Sequence, residues 1–407
     1  MRLPKVAIAL LVLLILASGI HFARRSGTDP QTYSNDFNVY YFAARELIEG
    51  RDPYQNSLGA WTPYLYPPLF AEALTALALL PLPVAAYLWF LISAASVLVA
   101  VWMLVRLAHS GNQESVLKND ESRSSYKKLA IAAISLGVLA RFILDNFDMG
   151  QVNNVVMALS VAHIYLLSKN KKLASRVALA VAVSIKLTPA LLIAYSLAKK
   201  EWRFATECAV MSAILIALSF APFGSRAPDT FNRFANRTIQ NEQGFDLAYS
   251  GNQSLRGFLS RMSETNEEEP SQFARRPTDT LALLLSLILL VAAIVAAAIA
   301  RNTLAAAAPI FCCVVFLSPL AWKAHFVMLL LPVVNLAKES VINKRYLIAC
   351  LLVTSFCLFN LTSPRIVGVS IAEWADSYSL VFAGAALIFF ISVTIAWSNR
   401  KSSMSDH

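Results

Sequence analysis

Leu281–Ala300 reads LALLLSLILLVAAIVAAAIA, an unbroken apolar run without a charged residue. A helix of that length rises about 30 Å, which matches the hydrocarbon core of a bilayer. In hydrocarbon every backbone N–H and C=O must pair inside the segment, so the run has to be helical. A barrel strand would alternate apolar and polar residues, and this stretch does not. Working outward, Val84–Leu107, Ala205–Ala221 and Leu380–Trp397 are blocks of the same kind. Across the 407 residues, 57% are hydrophobic and 15% charged, against about 25% charged in a soluble domain. The chain therefore reads as all-α and polytopic, one integral membrane domain over residues 1–407, with about 12 transmembrane helices.

The formal charge of +10 does not point to nucleic acid. The Lys and Arg residues sit in short clusters between apolar blocks, as membrane proteins place them to fix orientation. Cys208, Cys312, Cys313, Cys350 and Cys357 lie in or beside apolar blocks without metal-ligand spacing, and read as small buried hydrophobes. Arg2 and Lys5 before an apolar run resemble a signal peptide, but in so hydrophobic a chain the run reads as an uncleaved first helix.

Basic clusters at Arg106–Lys128, Lys169–Lys172, Lys199–Arg203 and Lys338–Arg345 thread the chain with both termini cytoplasmic. That leaves two long outer loops, residues 23–83 and 222–278. In the first, Asp36–Glu49 carries Phe37, Tyr40, Tyr41, Ala44, Leu47 and Ile48 at helical spacing, which predicts an amphipathic helix lying flat at the interface. Leu69–Leu80, bounded by prolines, predicts a second one. Pro189 divides Leu173–Ala198 into two short helices with Ser184–Pro189 at an outer turn.

Polar groups beside membrane helices are costly and usually functional. The threading sets Asp36, Asp148, Gln151, Asn153, Asn154, Lys186, Asn252, Gln253, Lys323 and His325 on one side. Convergence from distant positions is what a site requires. Asp36 is the candidate base; it opens a helix and could merely cap it, although Asn35 could cap instead and free it. Asp52 reads as a turn residue. Lys186 suits a phosphate oxygen, or snorkels to the interface. His325, flanked by Trp322 and Lys323, can hydrogen-bond a phosphate or a sugar hydroxyl. The amides of Gln151, Asn153, Asn154, Asn252 and Gln253 suit sugar hydroxyls because they donate and accept together. Tyr66, Trp61, Tyr64 and Phe70 either stack on a sugar or form an interfacial aromatic belt.

Taken together, Asp36-Phe-Asn-Val-Tyr-Tyr-Phe-Ala-Ala, Gly50-Arg-Asp-Pro-Tyr54 and Tyr66-Pro-Pro-Leu-Phe70 resemble the first outer loop of glycosyltransferase family 87. Gly150-Gln-Val-Asn153, Ile185-Lys-Leu-Thr-Pro189, Asn252-Gln-Ser-Leu255 and Ser318-Pro-Leu-Ala-Trp322 with His325 continue the likeness in the family's order. Where members usually carry a Ser-Trp pair before the histidine, this chain has Ala321-Trp322. The resemblance implies a GT-C fold and polyprenol-phosphate-mannose-dependent transfer. It puts the family's catalytic aspartate at Asp36 and its conserved lysine and histidine at Lys186 and His325.

The expected reaction is inverting transfer of a hexose, mannose by this likeness, from a polyprenyl-phosphate sugar to a membrane lipid or glycolipid acceptor at the outer face of the cell membrane. Asp36 takes the acceptor proton. Lys186, His325, Lys323 and Arg141 meet the donor phosphate, and Trp322 and the amides meet sugar or acceptor. The lipid-linked sugar is a substrate, so no cofactor is expected. A lipid monophosphate leaves with less metal help than a nucleotide diphosphate, and the outer loops show no Asp-x-Asp pair, so no metal is expected either. The rival readings are a multi-helix transporter or lipid flippase, which favours charges at the midplane and internal repeats, and a scaffolding membrane protein.

Overall fold

The computed structural model describes residues 5–28, 35–55, 63–109, 121–238, 246–263 and 272–400. Trp61 and parts of both long loops lie outside them. The described residues are helical without a strand, apart from one isolated bridge between Ala300 and Arg400. In chain order the first half holds α1 (Lys5–Thr28), α2 (Asp36–Ile48), α3 (Pro68–Ala73), α4 (Thr75–Ala78), α5 (Leu82–His109), α6 (Glu121–Val138), α7 (Ala140–Met149), α8 (Asn153–Ser168), α9 (Lys172–Ile185) and α10 (Ile193–Ala198). The second half holds α11 (Trp202–Leu218), α12 (Ala227–Thr238), α13 (Leu255–Ser263), α14 (Gln272–Ile299), α15 (Thr303–Phe316), α16 (Leu330–Val341), α17 (Tyr346–Phe356), α18 (Pro364–Val367), α19 (Val369–Ser377) and α20 (Leu380–Ser398).

By length and composition, four described helices can cross a membrane: Leu82–His109, Thr278–Ile299, Lys323–Val341 and Leu380–Ser398. The number is six if Ser124–Val138 with α7 and α11 with Ala221–Thr238, bent by 63° and 66°, each make one span. About twelve spans were expected from the sequence. Four further apolar helices, Asn153–Ser168, Thr188–Ala198, Thr303–Phe316 and Tyr346–Leu361, are 10–17 residues long, so the expected count is not confirmed. Helix α14 shows the lipid-facing pattern most plainly: Leu283, Leu287, Ile288 and Val291 are exposed, while Ala293, Ala296 and Ala297 are buried. Small residues let membrane helices approach closely. The next helix, α15, is buried along its whole length despite Pro309.

One break has a side chain that takes over the lost backbone bonds, as a helix interruption away from water requires. At the α6–α7 bend, Asn360 accepts from Arg141 N at 3.0 Å and donates to Val138 O at 3.0 Å. After α9, Lys186 is extended (φ −148°, ψ 128°), and a 3₁₀ turn, Thr188–Leu192, follows before α10. The division expected at Ser184–Pro189 is therefore present.

Two expectations for the first loop need correction. Helix α2 is not a surface helix with one wet face, since Phe37, Asn38, Val39, Tyr40, Tyr41, Ala43 and Ala44 are all buried. It packs on α3, α4 and α5, so its first two turns are enclosed all round. The segment 69–80 forms two short helices, α3 and α4, rather than one. Asp52 does hold a turn, accepting from Tyr54 N at 2.8 Å, and it also ties the two loops together through Thr230 at 3.0 Å and an ion pair with Arg233.

Candidate active site

Asn35, not Asp36, caps α2: its Oδ1 accepts from Asn38 N at 2.8 Å, and its Nδ2 donates to Ser26 Oγ at 2.7 Å. An N-cap needs one acceptor, so the Asp36 carboxylate at the first helical position is released for another partner. That partner is Gln151, whose Nε2 donates to Asp36 Oδ2. Gln151 is aimed by the turn before α8. Gly150 sits in the left-handed region at φ +63°, where its missing side chain would lie 2.7 Å from both Phe22 and Phe37. Only glycine fits that approach without strain. Trp89 Nε1 pins the same turn by donating to Gly150 O at 2.8 Å.

From Gln151 the hydrogen bonds run on. Asn153 Nδ2 donates to Gln151 Oε1 at 3.1 Å, Lys186 Nζ donates to Asn153 Oδ1 at 2.8 Å, and Lys186 Nζ lies 2.7 Å from His325 Nε2. With the lysine as ammonium donor, Nε2 accepts. The ring also bonds the Leu320 backbone, to whose carbonyl it must donate. A single chain, Asp36–Gln151–Asn153–Lys186–His325, thus joins four separated parts of the sequence. Burial pushes the Asp36 carboxyl up to about 6, while attraction to Lys186 and the Gln151 hydrogen bond pull it down. A carboxyl in that range is suited to proton transfer near neutral pH.

Tyr66 joins this group. Its hydroxyl is 3.0 Å from the Tyr40 hydroxyl, and both phenols are within electrostatic reach of Asp36. Asn153, Lys186, Thr188, Ser318, His325 and Met328 line a crevice of about 10 Å³, enough for about one water molecule. Seating a phosphate there requires the Lys186 and His325 side chains to part.

The other sequence candidates are placed elsewhere. Asn252 spends its amide on backbone, donating to Leu247 O and Pro319 O and accepting from Ser254 N and Ala321 N. Gln253 donates to Ser250 O and Asp376 O and accepts from Phe382 N. Both are fully buried; the Asn252 side chain holds the loop that carries His325, and the Gln253 side chain ties the Asp376 and Phe382 backbone. Asn154 donates to Ser93 on α5, away from the chain. The Arg141 guanidinium donates to Phe359 O and Thr362 Oγ1, so it closes the end of the π-helical turn Cys357–Leu361 instead of facing Lys186. Lys323 is ion-paired with Asp376, and Trp322 packs edge-on against Tyr249 at 5.7 Å.

Three supporting residues escaped the sequence reading. Asn146 donates to Ala324 O at 2.8 Å, between Lys323 and His325. Asp376 anchors Lys323. Tyr40 was read only as part of an apolar face. Local signals existed for Asn146 and Asp376, as polar residues beside apolar helices. For Tyr40 there was none.

The chain is similar to three mannosyltransferases. A polyprenol-phosphate-mannose-dependent α-(1-2)-phosphatidylinositol pentamannoside mannosyltransferase of Mycolicibacterium smegmatis is 27% identical over 200 residues, 49% of this chain and 44% of that protein. A polyprenol-phosphate-mannose-dependent α-(1-2)-phosphatidylinositol mannoside mannosyltransferase of the same organism is 25% identical, over 56% of this chain and 52% of that protein. One of Mycobacterium tuberculosis with the same description is 24% identical, over 73% and 69%. The chain matches about half the length of the first two relatives. The model of glycosyltransferase family 87 matches residues 64–331, a stretch that holds Tyr66, Gln151, Asn153, Lys186 and His325 and begins after Asp36. A match over well more than half of the sequence settles the assignment: the chain belongs to glycosyltransferase family 87.

Proposed function

We propose that the chain transfers a mannosyl unit from a polyprenyl-phosphate mannose to a hydroxyl of a membrane lipid or glycolipid. In this reading Asp36 is the base and the anomeric carbon inverts. The site opens on the outer side of the cell membrane, with both termini cytoplasmic. The observation that carries the reading is the hydrogen-bond chain from Asp36 to His325. It sets a carboxylate of raised pKa at one end and the Lys186 ammonium, bonded to the His325 imidazole, at the other, with two amides between.

The chemistry follows from that polarity. The acceptor oxygen attacks the anomeric carbon, and its proton passes to Asp36. The bond from that carbon to the phosphate oxygen breaks, and the phosphate leaves with the electron pair. Lys186 and His325 stabilise the charge that develops on it. The amides of Gln151 and Asn153, which donate and accept together, can exchange their mutual bond for sugar hydroxyls. No metal takes part in this scheme, so a chelator is expected to leave turnover unchanged.

The direct test uses the purified full-length protein with labelled polyprenyl-phosphate mannose and a phosphatidylinositol-type acceptor, followed by product identification. Inversion requires that an α-linked product come from a β-linked donor. A product with retained configuration, or no mannosyl transfer to any lipid acceptor, contradicts the proposal.

A further inference from the structure

Helices α1, α5, α6 and α7 enclose an apolar groove of about 590 Å³, within the roughly 300–1,000 Å³ of small-molecule sites. Leu14, Ala17, Ala94, Val97, Leu98 and Leu144 are among its walls. It is open along one side, where Leu14, Leu98 and Leu144 are 64%, 49% and 52% exposed. From Leu14 to Arg25 the groove follows α1 for about 16 Å, close to the depth of one leaflet's hydrocarbon. It changes character at one end. There Asp148 accepts from Arg25 at 2.5 Å and from Arg365 at 3.1 Å, with His21 beside them.

This polar end is joined to the reacting end of the site. Ser26, next to Arg25, receives the Asn35 side chain, and Asn35 directly precedes Asp36. Phe22 lines the groove and packs on both Gly150 and Phe37, the neighbours of Gln151 and Asp36. Hydrogen bonds therefore leave the Asp36 region in two directions: one through Gln151 to Lys186 and His325, the other through Asn35 to α1 and the rim of the groove. An in-line displacement needs the incoming oxygen and the leaving phosphate on opposite sides of the anomeric carbon. A base at the carboxylate then demands that the incoming hydroxyl arrive from the side away from Lys186.

We infer that this groove seats the lipid acceptor, a glycerophospholipid with a polyol headgroup, with one hydrocarbon chain along α1 and its phosphate against Arg365. This inference rests on the mannosyltransferase reading for the acceptor's role. The chemistry fits each part of the ligand. The open apolar wall admits a chain sideways from the bilayer. Arg365 has a 63% exposed side chain and, among the described residues, one ion pair, and its planar guanidinium suits a phosphate. A headgroup held at this rim brings its hydroxyls toward Asp36. The donor's phosphate belongs instead at the Lys186–His325 pair, so the two lipid substrates enter by different walls.

The experiment is native mass spectrometry of the full chain in detergent, with phosphatidylinositol and a polyprenyl phosphate as separate probes. Ala17→Trp narrows the groove from an exposed position, Arg365→Gln removes the phosphate contact, and Leu144→Trp is a second exposed plug. Each variant is checked for wild-type thermal unfolding. The plugs are expected to lower phosphatidylinositol retention about tenfold, the effect of excluding a few methylenes from an apolar site. Arg365→Gln is expected to lower it about threefold to tenfold. Polyprenyl phosphate retention should stay within about twofold, less than a tenfold step in affinity. Loss of polyprenyl phosphate instead, equal loss of both lipids, or loss of neither overturns the assignment. Binding is read without turnover, so the two proposals separate. An inactive protein with selective phosphatidylinositol loss keeps the groove and removes the mannosyltransferase reading. An active protein without selective loss does the reverse.

Discussion

Gln151 and Asn153 on one side, and Asn252 and Gln253 on the other, look alike in the sequence: paired amides next to a glycine, at the edge of apolar blocks. In the structure they do opposite work. Gln151 and Asn153 bond side chains that ionise, Asp36 at one end and Lys186 at the other. The Asn252 and Gln253 side chains bond backbone; Asn252 with Asn146 holds the segment from Pro319 to Ala324, and Gln253 ties Asp376 and Phe382. The first pair can release its partners to a substrate. The second cannot do so without loosening the loop that presents His325. What separates a binding amide from a structural one is the partner, not the residue type or the exposure, since all four are buried.

This contrast breaks most sharply at the ionisable end of the first set. Lys186→Met removes the charge that meets the leaving phosphate, and kcat/KM for the donor should fall by about 10²–10³, as on deleting one transition-state donor. Thermal unfolding should move little. If turnover survives, the Asp36–His325 chain is an architectural network. The matched variant, Asn252→Ala, strands the backbone amides of the buried Ser254 and Ala321. Each orphaned group costs about 1–3 kcal/mol, so the thermal midpoint should drop markedly, while the folded fraction keeps donor KM within about threefold. A large rise in KM without destabilisation would return Asn252 to sugar binding.

The pH profile sharpens the same comparison. Because burial raises the Asp36 carboxyl to about 6, the basic form is lost as pH falls through that value. Below it kcat/KM should decline about tenfold per pH unit, and Asp36 should be the group that sets this limb. Stability follows the same group: a raised carboxyl pKa favours the folded state when Asp36 is protonated, so that contribution is fully present below pH 3.8 and is lost as pH rises through about 6. The smallest effect belongs to the surface pair Lys172–Glu201, whose side chains are 48% and 39% exposed. Lys172→Gln should change neither stability nor turnover measurably.

The membrane class was legible because a run such as Leu281–Ala300 has only one physical solution. The break at Lys186 was legible because Pro189 and a lone charge interrupt an apolar block. The identities of the ionisable residues in the chain were legible for the same reason, since each is costly where it stands. The partners were not. Arg141 looked like a phosphate ligand because an arginine at a helix break is conspicuous, yet it closes a helical turn more than two hundred residues away. Nothing local encodes that pairing. The flat interfacial helix expected at Asp36–Glu49 differs for a related reason: its first two turns, Asn38 included, are buried while Arg45 and Glu49 stay exposed, and amphipathic spacing does not say what will cover the second face.

The central claim is that Asp36 removes the acceptor proton. The most direct measurement compares single-turnover mannosyl transfer by wild type and Asp36→Asn, with donor binding and thermal unfolding measured on the same preparations. The asparagine keeps the size and still accepts from Gln151, so donor binding and unfolding should match wild type while the rate falls about 10²–10⁴-fold. A rate within a few fold of wild type, with the pH profile unaltered, would contradict the account.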